Sequence, residues 1–381
     1  MNKTIKHMSL LFALTLSFSL PITGYSTIKS AKAATTSSTT NSKSIAPTYK
    51  DVVFATVNKD NGEKKDLKMN IFKPQGVTGP TPVLVYIHGG GWAMGDYQGD
   101  DAPKDASKTT TQQHNQTTQK SGDISNIVAA DSAYAVFKRV LNSGITFVSI
   151  DYRLSQEAAF PAQIYDVKGA VRYLRAHAEE YGIDPNRIAA AGNSAGGHLT
   201  AELATTGGVQ ELEGDVGGNL DYSSKVMAAV DYYGPTDMFT MGPEMDPSLQ
   251  SPADAAKNHD SAQAAESKLL GFDKEGQGIF VLRELRDTNQ TDSPYWGKVK
   301  LAEMASPINY VSSDDPPMFI AHGGSDVVVP IQQSLRLRDA LNKVGVDNIF
   351  MTYSKDPHGR QCEDINNASI TWITNKLIGN K

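Results

Sequence analysis

Beyond residue 48 the chain alternates short β-branched apolar runs with longer stretches whose apolar residues recur at helical spacing, and few folds accept such an alternation. Runs at 51–57 and 67–72 flank an Asn61-Gly62 turn, the signature of an antiparallel hairpin. Further runs at 83–87, 145–150, 188–191, 226–232, 318–321 and 349–353 are closed by Gly or polar residues and read as buried strands. Between 161 and 181, Ile164, Val167, Val171 and Leu174 share one helical face, with Gly182 as a stop and Pro185 just beyond. Helices are also expected at 195–205, 331–344 and 368–377. Strand and helix in turn, after a hairpin, predict a mostly parallel eight-stranded sheet covered by helices on both faces.

Several stretches stand outside this rhythm. Residues 1–33 carry Lys3 and Lys6, an apolar core at 10–20, and the small-residue pattern Ala31-Lys32-Ala33, which together predict an export signal cleaved before Ala34 and a secreted, bacterial product. That core is interrupted by Thr15, Ser17 and Ser19 and is shorter than the ~18 residues a spanning helix needs, so stable membrane anchoring is not expected. Residues 34–47 are rich in Thr, Ser and Ala and read as a flexible linker. The catalytic domain is expected over 48–381. Residues 93–130 include a Thr/Gln/Lys-rich run at 108–120, read as a surface loop. Residues 236–305 are too long for a simple connection and hold Met238, Phe239, Leu269, Leu270, Tyr295 and Trp296, so a cap-like insertion is expected there.

Charge and cysteine usage narrow the classes further. The formal charge of −6 becomes −10 once Lys3, Lys6, Lys29 and Lys32 leave with the signal, a poor match for nucleic acid or anionic lipid. The single cysteine, Cys362, cannot form an internal disulfide and reads as a small packed side chain.

Two glycine motifs carry the chemistry. Gly192-Asn193-Ser194-Ala195-Gly196 lies between an expected strand and an expected helix. By composition alone Gly-x-Ser-x-Gly arises in roughly one chain in five of this length, so the strand-to-helix context matters more than the letters. In such an elbow the serine backbone is strained and its hydroxyl is lifted to the carboxyl edge of the sheet. His88-Gly89-Gly90-Gly91-Trp92 directly follows the strand at 83–87. Its glycines permit a loop with N–H groups aimed at one point, so Gly90, Gly91 and Ala195 are the candidate oxyanion donors. His88 is read as bracing that loop. No Gly-x-x-x-x-Gly-Lys-Ser/Thr loop or dinucleotide fingerprint is present, and neither cofactor nor metal is expected.

A nucleophile at Ser194 calls for a carboxylate and then a histidine later in the chain. Asp326 follows the strand at 318–321, and His358 follows the last strand, so both stand where open α/β sheets build their sites. Asp314, Asp315 and Asp347 precede their strands and lie at the wrong edge. Asp356 is the rival acid. His177, His198, His259 and His322 are rival bases, with surface or packing roles as the default reading. Trp92, Trp296 and Tyr295 are candidate walls of a substrate pocket.

Taken with Asp151-Tyr152-Arg153-Leu154-Ser155, Phe160-Pro161-Ala162, Tyr181-Gly182-Ile183-Asp184-Pro185 and Ser306-Pro307-Ile308, these motifs resemble the hormone-sensitive-lipase-like esterases, and most closely their bacterial feruloyl and acetyl xylan esterase-like branch. The resemblance spans nearly all of 50–380, although Asn193 stands where many relatives carry an acid. It implies an α/β-hydrolase fold and a serine carboxylesterase acting on short-chain acyl or hydroxycinnamoyl esters, small or polysaccharide-linked. Asp151 and Arg153 would brace the sheet. A prolyl-oligopeptidase-like peptidase shares the residue order but would carry a large N-terminal propeller domain. A non-catalytic binding protein on the same scaffold would be expected to lack a member of the Ser, Asp and His set.

Overall fold

The computed structural model describes residues 46–98, 136–359 and 362–379. The expected export signal, most of the linker and the Thr/Gln-rich run lie outside the described residues.

Eight strands form one sheet in the order β1-β2-β4-β3-β5-β6-β7-β8. They are β1 (Tyr49–Asn58), β2 (Lys64–Phe72), β3 (Thr81–Ile87), β4 (Thr146–Ile150), β5 (Ile183–Asn193), β6 (Ala229–Tyr232), β7 (Met318–Gly323) and β8 (Asn348–Tyr353). The β1–β2 and β2–β4 pairings are antiparallel; every later pairing is parallel, as the hairpin-then-alternation pattern requires.

Side chains on β3 alternate between two layers, because successive strand residues face opposite sides. Val83, Val85 and Ile87 join a core with Ile164, Val167 and Val171 of α2 (Ala162–Ala176) and Leu199 of α4 (Ala195–Thr205). Leu84 and Tyr86 face the other layer, with Val140 of α1 (Val136–Asn142) and Ile370, Ile373 and Leu377 of α11 (Glu363–Ile378). Leu337 and Leu341 of α10 (Gln332–Val344) cover Met318 and Ile320 on β7. Helices thus cover both faces.

Boundaries differ from the sequence reading where polar residues hid the pattern. The last helix starts at Glu363 rather than 368, with Ile365 buried and Glu363 and Asp364 in the first turn, where carboxylates favour the helix dipole. The first crossover helix breaks at His177, and α3 (Ala178–Tyr181) ends on Gly182 in the left-handed region at φ 57°. β6 starts at Ala229 rather than 226, and β5 extends back to Ile183, which pairs with Thr81.

The 236–305 stretch holds five helices: α5 (Met241–Glu244), α6 (Pro252–His259), α7 (Ala265–Leu269), α8 (Ile279–Asp287) and α9 (Trp296–Met304). Gln333 of α10 ties this insertion to the sheet domain. It is fully buried, accepts the Thr236 and Asp237 N–H groups at 2.8 Å each, and donates to Thr240 Oγ1 at 2.8 Å and Glu244 Oε2 at 2.7 Å. Arg336 adds an ion pair to Glu244.

Candidate active site

Parallel strands bring their carboxyl ends to one edge, so the segments following β3, β5, β7 and β8 meet there. Ser194 stands between β5 and α4 with φ 54° and ψ −120°, a combination rare for any residue with a Cβ. The elbow can be this sharp because its glycines admit close backbone approach. A Cβ on Gly196 would lie 2.1 Å from the Ile87 carbonyl oxygen, so no other residue fits. The turn is fixed by Ser194 N–H donating to Tyr232 O at 2.9 Å, and by Ser194 O accepting from His198 N–H at 2.9 Å.

Ser194 Oγ lies 3.0 Å from His358 Nε2, and His358 Nδ1 lies 2.7 Å from Asp326 Oδ2. A carboxylate partner places the hydrogen on Nδ1, which leaves the Nε2 lone pair to accept from the serine hydroxyl. Asp326 itself is nearly inaccessible; burial alone would raise its pKa. The imidazoles of His322 and His358 outweigh burial and hold the carboxyl well below the usual carboxylate range. Its other oxygen accepts the N–H groups of Val328 at 2.8 Å and Val329 at 2.9 Å, locking the orientation. Tyr233 packs edge-on against His358, with ring centroids 4.8 Å apart.

Sequence reasoning left one contributor out. His322, weighed only as a rival base, is fully buried with Nε2 2.9 Å from Val329 O and 3.4 Å from Asp326 Oδ2. The carbonyl can only accept, so Nε2 carries a hydrogen, and Nδ1 receives the Ser334 hydroxyl at 2.7 Å. The hydrogen that His322 gives Val329 O thus also lies near Asp326 Oδ2, at 3.4 Å from Nε2. The spacing His322-Gly-Gly-Ser-Asp326 held the signal: a histidine at the end of a buried strand, four residues before the acid, had no surface to occupy.

The loop after β3 is pinned from both sides. Gly90 has φ 102°, its carbonyl accepts from Ala93 and Met94, and a Cβ there would meet Met94 O at 2.4 Å. Among the described residues no acceptor takes the N–H of Gly90, Gly91 or Ala195, the last standing in the first turn of α4 where no intrahelical partner exists. His88 is buried and stacks on Tyr152 at 4.2 Å, as expected for a bracing residue.

Several candidates are placed elsewhere. Trp92, expected as a pocket wall, is a correction: it is buried in the core and its Nε1–H donates to His198 Nδ1 at 3.1 Å, because φ 57° turns it inward. Trp296 packs against the main core with Lys300 Nζ 5.3 Å above its ring, and Tyr295 lies edge-on to Phe272. The rival acid Asp356 instead accepts the Cys362 N–H at 2.8 Å, at the start of α11. His198 is buried between Trp92 and Ala305 O, and His177 stacks on Tyr173. Arg153 pairs with buried Asp166 at 2.7 Å, and burial pushes Asp151 up to about 7 beside Lys65. The Asn193 amide, where an acid was noted in relatives, accepts from Tyr86 OH at 2.8 Å. A groove of about 690 Å³ lined by Tyr165, Leu220 and Tyr222 opens beyond the far end of α4, and none of the triad residues reaches it.

A serine at a strand-to-helix elbow, facing a histidine and an aspartate across the carboxyl edge of this eight-stranded sheet, defines an α/β-hydrolase fold. Residues 121–341, more than half of the chain, match the BD-FAE family model. The chain belongs to the BD-FAE family, within the hormone-sensitive-lipase-like group. It is 26% identical over 289 residues to the probable carboxylic ester hydrolase LipM of Mycobacterium tuberculosis, covering 76% of this chain and 51% of LipM. It is 30% identical over 233 residues to the esterase LipQ of the same organism, covering 61% of this chain and 46% of LipQ. The chain thus spans about half the length of the curated relatives it matches. Among solved structures, a truncated carbohydrate esterase from gut microbiota superposes with a TM-score of 0.63 at 26% identity, covering 88% of this chain and 98% of the other.

Proposed function

We propose that this protein is an exported serine carboxylic ester hydrolase. The observation that carries the reading is the continuous relay from Ser194 Oγ through His358 to Asp326, at 3.0 Å and 2.7 Å. His358 removes the serine proton as Oγ attacks the ester carbonyl, and Asp326 stabilises the resulting imidazolium. The Gly90, Gly91 and Ala195 N–H groups receive the developing oxyanion, each worth about 3 kcal/mol in the transition state. His358 then protonates the departing alcohol. Water, deprotonated by the same ring, releases the acid and restores the serine.

Short-chain acyl or hydroxycinnamoyl esters on small or polysaccharide-linked alcohols are the proposed substrates, a reading supported by family membership and by the structural likeness to a carbohydrate esterase. The insertion over 236–305 serves as a cap. Export rests on the Lys3, Lys6, 10–20 and Ala31-Lys32-Ala33 pattern.

Hydrolysis of p-nitrophenyl acetate tests the activity. Ser194→Ala is expected to lower kcat by about four orders of magnitude or more while the circular dichroism spectrum stays unchanged. Substantial turnover in that variant, or faster cleavage of a prolyl anilide than of the ester, overturns the proposal.

A further inference from the structure

The insertion approaches the oxyanion loop through Ala265, the first residue of α7. A Cβ on Gly90 would strike Met94 O at 2.4 Å, so that face of the loop is closed. At Gly91, with φ 59°, a Cβ would meet one described atom within 4 Å beyond its chain neighbours, the Cβ of Ala265 at 3.7 Å. This face of Gly91 therefore opens, among the described residues, into a gap whose far wall is the Ala265 methyl group. The gap is not sealed. Gly90, Gly91, Ser194, His358 and Ala265 all keep partial exposure, whereas their neighbours Trp92, Ala195 and Glu266 are buried. The Gly91 N–H, as an oxyanion donor, stands about 3 Å from the carbonyl oxygen it holds, and Ala265 lies one carbon contact beyond the same residue. A group extending from the ester carbon along Gly91 meets that methyl within its first few carbons.

The wall is braced. Beside Ala265, Glu266 is tied to His259 of α6 at 2.8 Å, and Ser267 Oγ donates to Ser261 O at 2.8 Å. At the other end of α7, Leu269 O accepts from Phe160 N–H at 2.8 Å, and Leu269 and Leu270 are fully buried in the main core. Sheet order assigns the side of the ester. β3, which leads into the oxyanion loop, flanks β5 on one side, while β7 and β8, which lead into the Asp326 and His358 loops, lie on the other, beyond β6. His358 protonates the departing alcohol, so the alcohol lies toward β8. The carbonyl oxygen takes the β3 side, and the acyl chain is the substituent left to pass Gly91 and Ala265.

We infer that Ala265 sets the size of the acyl group that the enzyme accepts. The inference deepens the ester-hydrolase reading and rests on it. A methyl group on a braced helix admits an acyl chain up to a certain bulk and excludes what lies beyond by contact, since a closely packed wall cannot move aside for added carbons. One methylene gained or lost against such a wall shifts kcat/KM by roughly ten- to two-hundredfold. A larger side chain at this position favours shorter acyl groups, and a smaller one favours longer.

The test measures kcat/KM on p-nitrophenyl acetate, butyrate and octanoate, which vary only the acyl chain, and on hexyl acetate, which changes only the alcohol. Ala265→Leu is expected to lower the butyrate-to-acetate and octanoate-to-acetate ratios by at least about tenfold, with the ratio of hexyl acetate to p-nitrophenyl acetate unmoved. Ala265→Gly is expected to raise both acyl ratios several-fold, and it carries the test should the leucine variant fail to fold. Unchanged acyl ratios in a folded variant, an equal loss on every ester, or a change that follows the alcohol instead overturns the role of Ala265. Inactivity of the unaltered protein toward all four esters overturns the ester reading itself.

Discussion

Asp326 is the residue on which most of the local physics converges. It is an ionised carboxylate in a nearly inaccessible position, tolerated because two imidazoles and two backbone N–H groups surround it. Only one of those imidazoles can act on substrate. The other, His322, is a positioning residue, and its removal should act through the carboxylate rather than at the serine. His322→Gln is expected to lower kcat by roughly ten- to hundredfold, the equivalent of one hydrogen bond to a charged group, with KM little changed. A proton spectrum should at the same time show the low-field His358 Nδ1–H signal shifted, which a general loosening of the core would instead abolish. Unaltered kcat together with an unaltered signal would remove His322 from the network.

At the scale of elements, the site depends on how tightly the β3 loop, the β5–α4 elbow and the insertion are packed on one another. Gly90 illustrates the tolerance. Its φ of 102° and the 2.4 Å approach of Met94 O leave no room for a methyl group, and the strain falls on the segment proposed to hold the oxyanion. Gly90→Ala is expected to lower kcat about a hundredfold, measured on p-nitrophenyl acetate, with far-UV dichroism preserved because the loop lies outside the strand and helix ladders. A variant with wild-type turnover would show that this loop does not bind the oxyanion. The elements were legible in the sequence where apolar periodicity was strong, as in β3 and α2. They were misplaced where polar residues occupied a first helical turn, as at Glu363 and Asp364, or where a strand ran through Asp184 and Pro185 before its apolar part.

For the molecule as a whole, the buried and half-buried carboxyls divide into opposing sets. Burial raises Asp151 to about 7, and Asp231, against its backbone bond from Gly234, to about 6. A group raised in the folded state stabilises while protonated; that stability is complete below the unfolded value of about 4 and is lost as pH rises through 6 to 7. Asp326 and Glu213 are lowered, and their contribution is present above about 4 and lost as pH falls further. Stability should therefore peak near pH 5 and decline toward pH 8. Thermal melts across that range check the trend, and Asp231→Asn is expected to flatten it by roughly 3 kcal/mol, the cost of ionising a carboxyl moved from about 4 to about 6. A melting temperature that rises from pH 5 to pH 8 would contradict the assignment.

From the sequence alone followed the alternation that dictates a mostly parallel sheet, and the glycine spacing around Ser194 and after β3. These are local properties, set by side-chain periodicity and by which backbone angles a residue permits. The exclusion of Asp314, Asp315 and Asp347 was also legible from strand-end position, whereas only the fold shows the rival Asp356 occupied at the start of α11. The inward turn of Trp92, the approach of His322 to Asp326, and the meeting of His259 with Glu266 near Gly91 were decided by tertiary packing. Each joins groups whose neighbours in space come from separate elements, and nothing in the local order of residues specifies which buried side chains will share one partner.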